Sequence, residues 1–411
     1  MKPRYKLYIY FSDFISVIFS SLSFNKYKKI NHAETKLKNF LNTENFLLIN
    51  QARIGVYLAV KAIIKMTNKS EILLSPYTIA DVINMVLLAG GKPIFVDINK
   101  DTLNINESLI EEKISSDTAA ILVTHLHGLV CEMEEILAIA NKYDLYTIED
   151  AAQSFGAKDL NLYAGSIGDV GIYSFGLYKN LSSFYGGGIV CKDIELFSEI
   201  KAEHEKFGTF KNIWYLKKVF KALITNIATS KLLFRFVVLP IIKLGHFKNI
   251  RFINKFVETE LDISRKHTLP PHYKTQPSSA QAKLLSKKLK NVVLDNEVRI
   301  NFAKLYFENL KDIKLIALSQ NNGSERNIYT YFPIYAQDME NLRNFLISNN
   351  IDVGPQHYKN TASLNSFEDY YLDCPVAEKV SKSVLLLPTY PRYTEDNINK
   401  VITLIKEFYR A

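Results

Sequence analysis

The sequence predicts an α/β protein: a mostly parallel central sheet flanked by helices, with a smaller C-terminal α+β domain and a basic helical insertion. Three observations point there. Between Glu71 and Asp193, apolar strand-like runs alternate with helical patterns, the rhythm of a doubly wound sheet. From Lys206 to Val257 that rhythm gives way to eleven Lys or Arg and no Asp or Glu, set among apolar runs. From Lys266 onward the chain turns polar and helix-rich. A chain of 411 residues can bury a large core, and 47% apolar with 23% charged residues excludes general disorder.

Residues 1–45 read as an N-terminal helical segment. The stretch MKPRYKLYIYFSDFISVIFSSLSFNKYKK has basic flanks around an apolar run, superficially like a signal peptide or anchor. Ser12, Asp13, Ser16, Ser20, Ser21 and Ser23 interrupt it and no small-residue cleavage site follows, so an interfacial or packing helix is expected and not a span. Residues 46–203 read as the large α/β domain. NQARIGVYLAVKAI is a loop running into a helix, with Ala52 and Arg53 at the helix start. EILLS, KPIFVDI, TAAILVTHL, LYTIED, VGIYSF and GGIVCKD read as strands. Between them IADVINMVLLAGG reads as a helix closed by glycine, and CEMEEILAIANKYD carries apolar residues at helical spacing.

Residues 204–265 form the basic apolar insertion. Its cations, mixed with Phe, Leu, Ile and Trp214, suit either a solvated helical hairpin or a helix pair on an anionic membrane surface; Pro240 and the central cations argue against a span. No nucleic-acid recognition motif accompanies them, and the formal net charge of +9 is moderate. Residues 266–411 read as linking helices and the C-terminal small domain. SSAQAKLLSKKLKNVVLDNEVRINFAKLYFENL is one or two long helices, and NIYTYFPIYA and NINKVITLIKEFYRA belong to the small domain. The three cysteines, Cys131, Cys191 and Cys374, are odd in number and far apart, which fits a reducing compartment and neither a disulfide framework nor a zinc site.

Within GIYSFGLYKNLSSFYGGGIVCKD, Lys179 is the sole charged residue from Gly171 to Val190. Such a lysine is either a snorkelling side chain or a partly desolvated nucleophile. Asp150 ends the strand LYTIED, where a carboxylate can hold a pyridine nitrogen protonated and make the ring an electron sink. Ser174 can supply a hydroxyl to a phosphate, and a helix starting at Ala52 and Arg53 favours an anion. Together these point to pyridoxal phosphate. His125 and His127 share a strand face near Cys131, but nothing completes a metal-ligand set, so a structural or substrate-edge role is expected and no metal. YGGGIV lacks the spacing of a nucleotide-triphosphate loop and is expected to let backbone pass close to the cofactor.

The segments LLAGGKPIFVDINKDTLNI, HLHG, IEDAAQSFGA, GSIGDVGIYSFGLYKNL and CPVAEKVSKSVLLLPTYPRYTEDNINKVI resemble those of the DegT-type family of pyridoxal-phosphate-dependent nucleotide-sugar aminotransferases, which have the fold type I architecture of aspartate aminotransferase. The resemblance runs from about Asn50 to Asp193 and resumes from about Tyr273. It implies that Lys179 condenses with the cofactor aldehyde and then shuttles the proton. Asp150 would partner the pyridine nitrogen, Gln153 the ring's phenolic oxygen and Ser174 the phosphate. Several positions depart from the family pattern. Ala52 and Arg53 stand where a Gly-Thr pair is usual, and Ile79 where an aromatic residue stacks on the cofactor. Gly186 replaces the acidic residue of a Gly-acid-Gly-Gly turn. Lys274 falls near an asparagine that reaches a neighbouring subunit's phosphate, and Ala362 replaces a substrate-side histidine.

The expected activity is transfer of an amino group, from L-glutamate, to a keto group of a nucleotide-activated sugar for surface glycans. The expected agent is a cytoplasmic homodimer with peripheral contact at the inner face of the membrane through residues 206–257, and with no nucleic-acid partner. The alternatives are the same chemistry on a lipid-linked or other membrane-associated keto substrate, or a non-catalytic regulator or scaffold that keeps the fold. A dehydratase using the pyridoxamine form is disfavoured, because such relatives lack the lysine that Lys179 supplies.

Overall fold

Strand runs that are apolar on both faces can be buried only between two layers of helices, and that is how this chain uses them. The computed structural model describes residues 3, 10–21, 26–209, 212–257, 262–319, 324, 326–355 and 358–410. The six expected runs become β2 (Glu71–Leu74), β3 (Lys92–Phe95), β4 (Thr118–Thr124), β5 (Tyr146–Asp150), β6 (Val170–Ser174) and β7 (Gly187–Cys191). A seventh strand, β1 (Phe46–Ile49), comes from a four-residue apolar run that sequence reading leaves unassigned. The order across the sheet is β1-β7-β6-β5-β4-β2-β3. All pairings are parallel except those of β7, which runs against both β6 and β1.

Helix α1 (Phe11–Ser21) and α2 (Lys26–Leu41) precede the sheet. The buried carboxylate of Asp13 anchors α1 by ion pairs to Lys287 at 2.6 Å and Lys288 at 3.5 Å. The expectation of a packing helix is met on this inner face; residues 1–2, 4–9 and 22–25 of the N-terminal stretch, Ser23 among them, lie outside the described residues. Helix α3 (Ala52–Thr67) follows β1 and buries Ile54, Val56, Leu58 and Val60 against the sheet. Helices α4 (Ala80–Leu88), α5 (Met133–Lys142) and α6 (Ile194–Glu205) complete the two helical layers.

The basic segment is helical: α7 (Asn212–Ala228), then a run from Lys231 to Phe247 and a short helix at Arg251–Val257. Within that run Phe234–Val238 takes the wider π form, ending two residues before Pro240, whose missing N–H interrupts the helical ladder. The side chain of Trp214 lies outside the described residues. The long helical pattern that follows resolves into two helices, α8 (Ser279–Lys288) and α9 (Val292–Leu310), divided by one 3-10 turn. A second, four-stranded antiparallel sheet holds β8 (Ile316–Leu318), β9 (Phe332–Ala336), β10 (Gly354–Pro355) and β11 (Val384–Leu387) in the order β8-β9-β11-β10. Its apolar face packs on α10 (Met339–Ser348) and α11 (Glu395–Phe408) through Leu342, Leu346, Val401 and Ile405. Tyr77–Thr78 pairs with Lys359–Asn360, stitching the end of β2 to the C-terminal part of the chain.

Candidate active site

Register places the chemistry on one edge. Thr124 and Asp150, the last residues of β4 and β5, are paired neighbours, and Ser174 at the end of β6 pairs with Gly187. Because β7 is reversed, its first residue meets the last residues of its neighbours, and Ile49 of β1 ends opposite the same Gly187. Five adjacent strands therefore deliver their ends to one crevice, where ligands of such sheets bind. A cavity of about 330 Å³ opens there, and its walls include Ala52, Arg53, Ile79, Asp150, Gln153, Ser174 and Lys179.

Lys274 is the one expected site residue that this cavity does not include. Its carbonyl accepts the Gly208 N–H at 3.2 Å, and its neighbour Tyr273 reaches the site instead, sharing a 2.7 Å hydrogen bond with Arg53 through its hydroxyl. Ala362 also stands away from the cavity, fully buried in a short turn.

The amine and the carboxylate are set against their usual charge states. Burial lowers the pKa of Lys179, and the Arg53 charge adds to that, while Asp150 opposes both. Burial raises the pKa of Asp150; the Ala152 N–H donating to it at 3.0 Å and the charge of Lys179 pull the other way. A cationic ring nitrogen beside Asp150 would add a further charge in the lowering direction.

Beneath Asp150 lies a fully buried support. Glu149 accepts N–H bonds from Gly165, Ile167 and Gly168 at 2.6–2.8 Å and one from His125 Nε2 at 2.9 Å. The Nδ1 atom of His125 accepts the Cys131 N–H at 3.1 Å, which leaves the ring proton on Nε2. His125 is thereby committed to holding the end of the β5 strand. Gln153 is fixed from two sides: its Oε1 accepts the His127 N–H at 3.0 Å, and its Nε2 donates to the Tyr358 hydroxyl.

Arg53 pairs with Asp81, which also takes Lys266 at 2.6 Å. The glycine run serves packing as much as the cavity. Gly186 lines the cavity with φ of 153°, whereas a Cβ on Gly187 would sit 2.6 Å from the Ala52 nitrogen. At Gly187 the run passes close to the first turn of α3.

Sequence reading missed Gln51, Tyr185, Tyr331 and Tyr358, which also line the cavity. Gln51 reads in the sequence only as a residue before a helix start, Tyr185 lies in the Lys179 segment with nothing local to mark it, and Tyr331 and Tyr358 come from segments brought in by long-range pairing.

Two further observations bear on whether a phosphate-bearing pyridine fits. The Nε2 of Gln51 is buried at the wall without a hydrogen-bond partner, and α3 begins with no side-chain cap on its first turn. With Arg53 and the Ser174 hydroxyl, this wall holds more donors than acceptors, which suits a dianion. Asp150 supplies the acceptor that a protonated ring nitrogen needs. The residues fit.

A buried lysine with a lowered pKa beside a strand-end carboxylate, in a crevice whose wall is rich in anion donors, is the arrangement that pyridoxal phosphate chemistry uses, and on this sheet that is the fold type I class. The chain belongs to the DegT/DnrJ/EryC1/StrS aminotransferase family, whose model matches residues 12–241 and 250–406. It is 27% identical over 381 residues to the dTDP-4-amino-4,6-dideoxy-D-glucose transaminase of Shigella dysenteriae, covering 91% of this chain and 88% of that protein. It is 24% identical to the GDP-perosamine synthase of Escherichia coli O157:H7, over 88% of this chain and 85% of that protein. The crystal structure of the sugar aminotransferase CalS13 from Micromonospora echinospora superposes with a TM-score of 0.78 at 19% identity, covering 99% of this chain and all of the other. That last likeness concerns the fold.

Proposed function

We propose that this chain transfers an amino group from an amino acid, L-glutamate, to the keto group of a nucleotide-activated sugar used in surface glycan biosynthesis. The carrying observation is the placement of Lys179 and Asp150 in one cavity with the donor set of Gln51, Arg53, Ser174 and the start of α3. The sugar class follows from relatives such as the dTDP-amino-sugar transaminase, which align along most of the chain.

Bound pyridoxal phosphate supplies the electron sink and the carrier for the amino group. The protein does the rest. Gln51, Arg53, Ser174 and the N–H groups opening α3 hold the phosphate, with Ile79 as an apolar wall. Asp150 holds a proton on the ring nitrogen, and Gln153 orients the ring oxygen from its fixed position between His127 and Tyr358. Lys179 Nζ takes the α-proton of the amino donor in the first half-reaction. In the second it delivers a proton to the sugar carbon that receives the amine. Its lowered pKa keeps more of the amine neutral for this work. The acting unit is a cytoplasmic homodimer in which Lys274 of one subunit reaches the phosphate held by the other.

The test separates the two halves. Protein loaded with pyridoxal phosphate is mixed with L-glutamate, and the release of one 2-oxoglutarate per site is expected. Keto sugars carried on dTDP, GDP and UDP are then added, and the amino sugar is sought by mass spectrometry. Failure of every amino donor sinks the reading; success with donors and failure with all three sugar series removes the sugar acceptor.

A further inference from the structure

Helix α7 carries two apolar stripes. Tyr215, Val219 and Ala222 are buried with Phe14 and Val17 of α1 and with Phe184. On another face Leu216, Phe220, Ile224 and Ile227 recur at four- and three-residue spacing and are exposed, Phe220 to 63%. A helix on a soluble surface needs one such stripe. Past Ser230 the exposed pattern continues through Leu232, Phe236 and Ile241. Helix α1 repeats it, burying Phe14 and Val17 while Phe11, Ile15, Ile18 and Phe19 face outward. Of the 27 exposed large apolar side chains among the described residues, eleven fall between Leu216 and Phe252, too dense for ordinary scatter.

Charge decides what covers this face. Residues 206–257 hold eleven Lys or Arg and no acid; Lys206 is paired with Glu203, Lys243 is bonded to Ser348 and Asn350 and Lys218 lies over the Tyr185 ring, which leaves the remaining cations of the segment in excess, and Asp13, the sole acid before Glu34, is spent on Lys287 and Lys288. A second copy in two-fold contact would set the patch against itself, cation against cation. Nucleic acid would match the cations and leave the Phe and Ile side chains in water. A bilayer with anionic headgroups satisfies both, taking cations at the headgroups and apolar side chains at the acyl boundary. No helix among the described residues is long and apolar enough to cross a membrane, so the contact is with the surface.

We propose that the outward faces of α1, α7 and the helix after Ser230 form a docking surface for an anionic lipid bilayer. The inner faces of α1 and α7 hold the active-site turn: Tyr215 donates to the Ser183 carbonyl at 3.0 Å, and Phe184 packs between Phe14 and Tyr215. Docking thus places the Lys179–Gly186 segment one helix layer from the lipid.

Co-sedimentation of the full chain with vesicles of phosphatidylcholine, with and without phosphatidylglycerol, tests this. Binding at least about tenfold stronger on the anionic vesicles, weakening with added salt, is expected. The triple variant Phe220→Ser, Phe236→Ser, Ile241→Ser should lose binding about tenfold, since each side chain is exposed, while its circular dichroism and cofactor affinity stay unchanged. Equal partition onto both vesicle types, or binding untouched in the triple variant, overturns the proposal. So does preferential retention on DNA, or a triple variant that alone dissociates a dimer in sedimentation velocity, because another partner then covers the face.

Discussion

Lys179 works as one member of a charge set. Burial and Arg53 hold its pKa below that of an ordinary lysine, and Asp150 holds it up. The neutral amine is the reactive form, so capture of pyridoxal phosphate by the apoprotein should quicken with rising pH, through a midpoint below the usual value of about 10.4. Asp150→Asn removes the charge that raises the pKa and should move the midpoint down. Arg53→Gln removes the charge that lowers it and should move the midpoint up. Capture rates followed by absorbance across pH report both signs, and a shift in the same direction for both variants would refute the charge set. The lysine was legible in the sequence because no other charge surrounds it. Gln51 was not, because an amide before a helix ordinarily reads as a cap, and here it makes no cap bond.

Among elements, two contacts position the site. Strand β7 can pass the start of α3 only because Gly187 has no side chain. Gly187→Ala should push the helix start away from the crevice, lowering stability by about 1–3 kcal/mol and weakening cofactor affinity together. Thermal melts of the apoprotein and cofactor titrations measure the two; intact affinity with a normal melt would show that the strand and helix give way freely. Helix α1 hangs on the buried carboxylate of Asp13. Asp13→Ala takes that carboxylate away from Lys288, whose side chain is only 11% exposed. The cost should be below the about 3–5 kcal/mol of a fully buried pair, because Lys287 is half exposed. Limited proteolysis within residues 10–27 should become faster while the rest of the chain stays resistant; unchanged cleavage would mean that apolar packing alone retains α1. The strands β2 to β7 were legible as apolar runs between turn signals. Strand β1 was not, since four apolar residues after a helix carry no period of their own.

For the whole molecule, the proposed dimer makes a quantitative prediction. If Lys274 serves the neighbouring site, Lys179→Ala and Lys274→Ala proteins should each be weak alone. Mixed after dissociation, they form hybrid dimers with one intact site, and activity should recover to about one quarter of wild type, from half of the dimers and half of their sites. No recovery on mixing, with hybrid dimers demonstrated by tagged purification, rules out a shared site. Lys274 cannot be assigned within one chain, because its carbonyl is engaged with Gly208 and the cavity wall is reached by Tyr273.

The sequence by itself determined the layered α/β architecture, the strand ends that carry Asp150 and Ser174, and the isolated amine of Lys179, because these depend on periodicity and composition within a few residues. Only the tertiary structure decided which strand ends meet, that β7 runs backward to bring Gly187 beside Ser174, that Tyr358 steadies Gln153, and that α7 shows an apolar stripe to each side. Those contacts join residues up to some 280 positions apart, as where Asn360 pairs with Tyr77. Local pattern carries no register for such pairings; they follow from burying all the apolar faces at once.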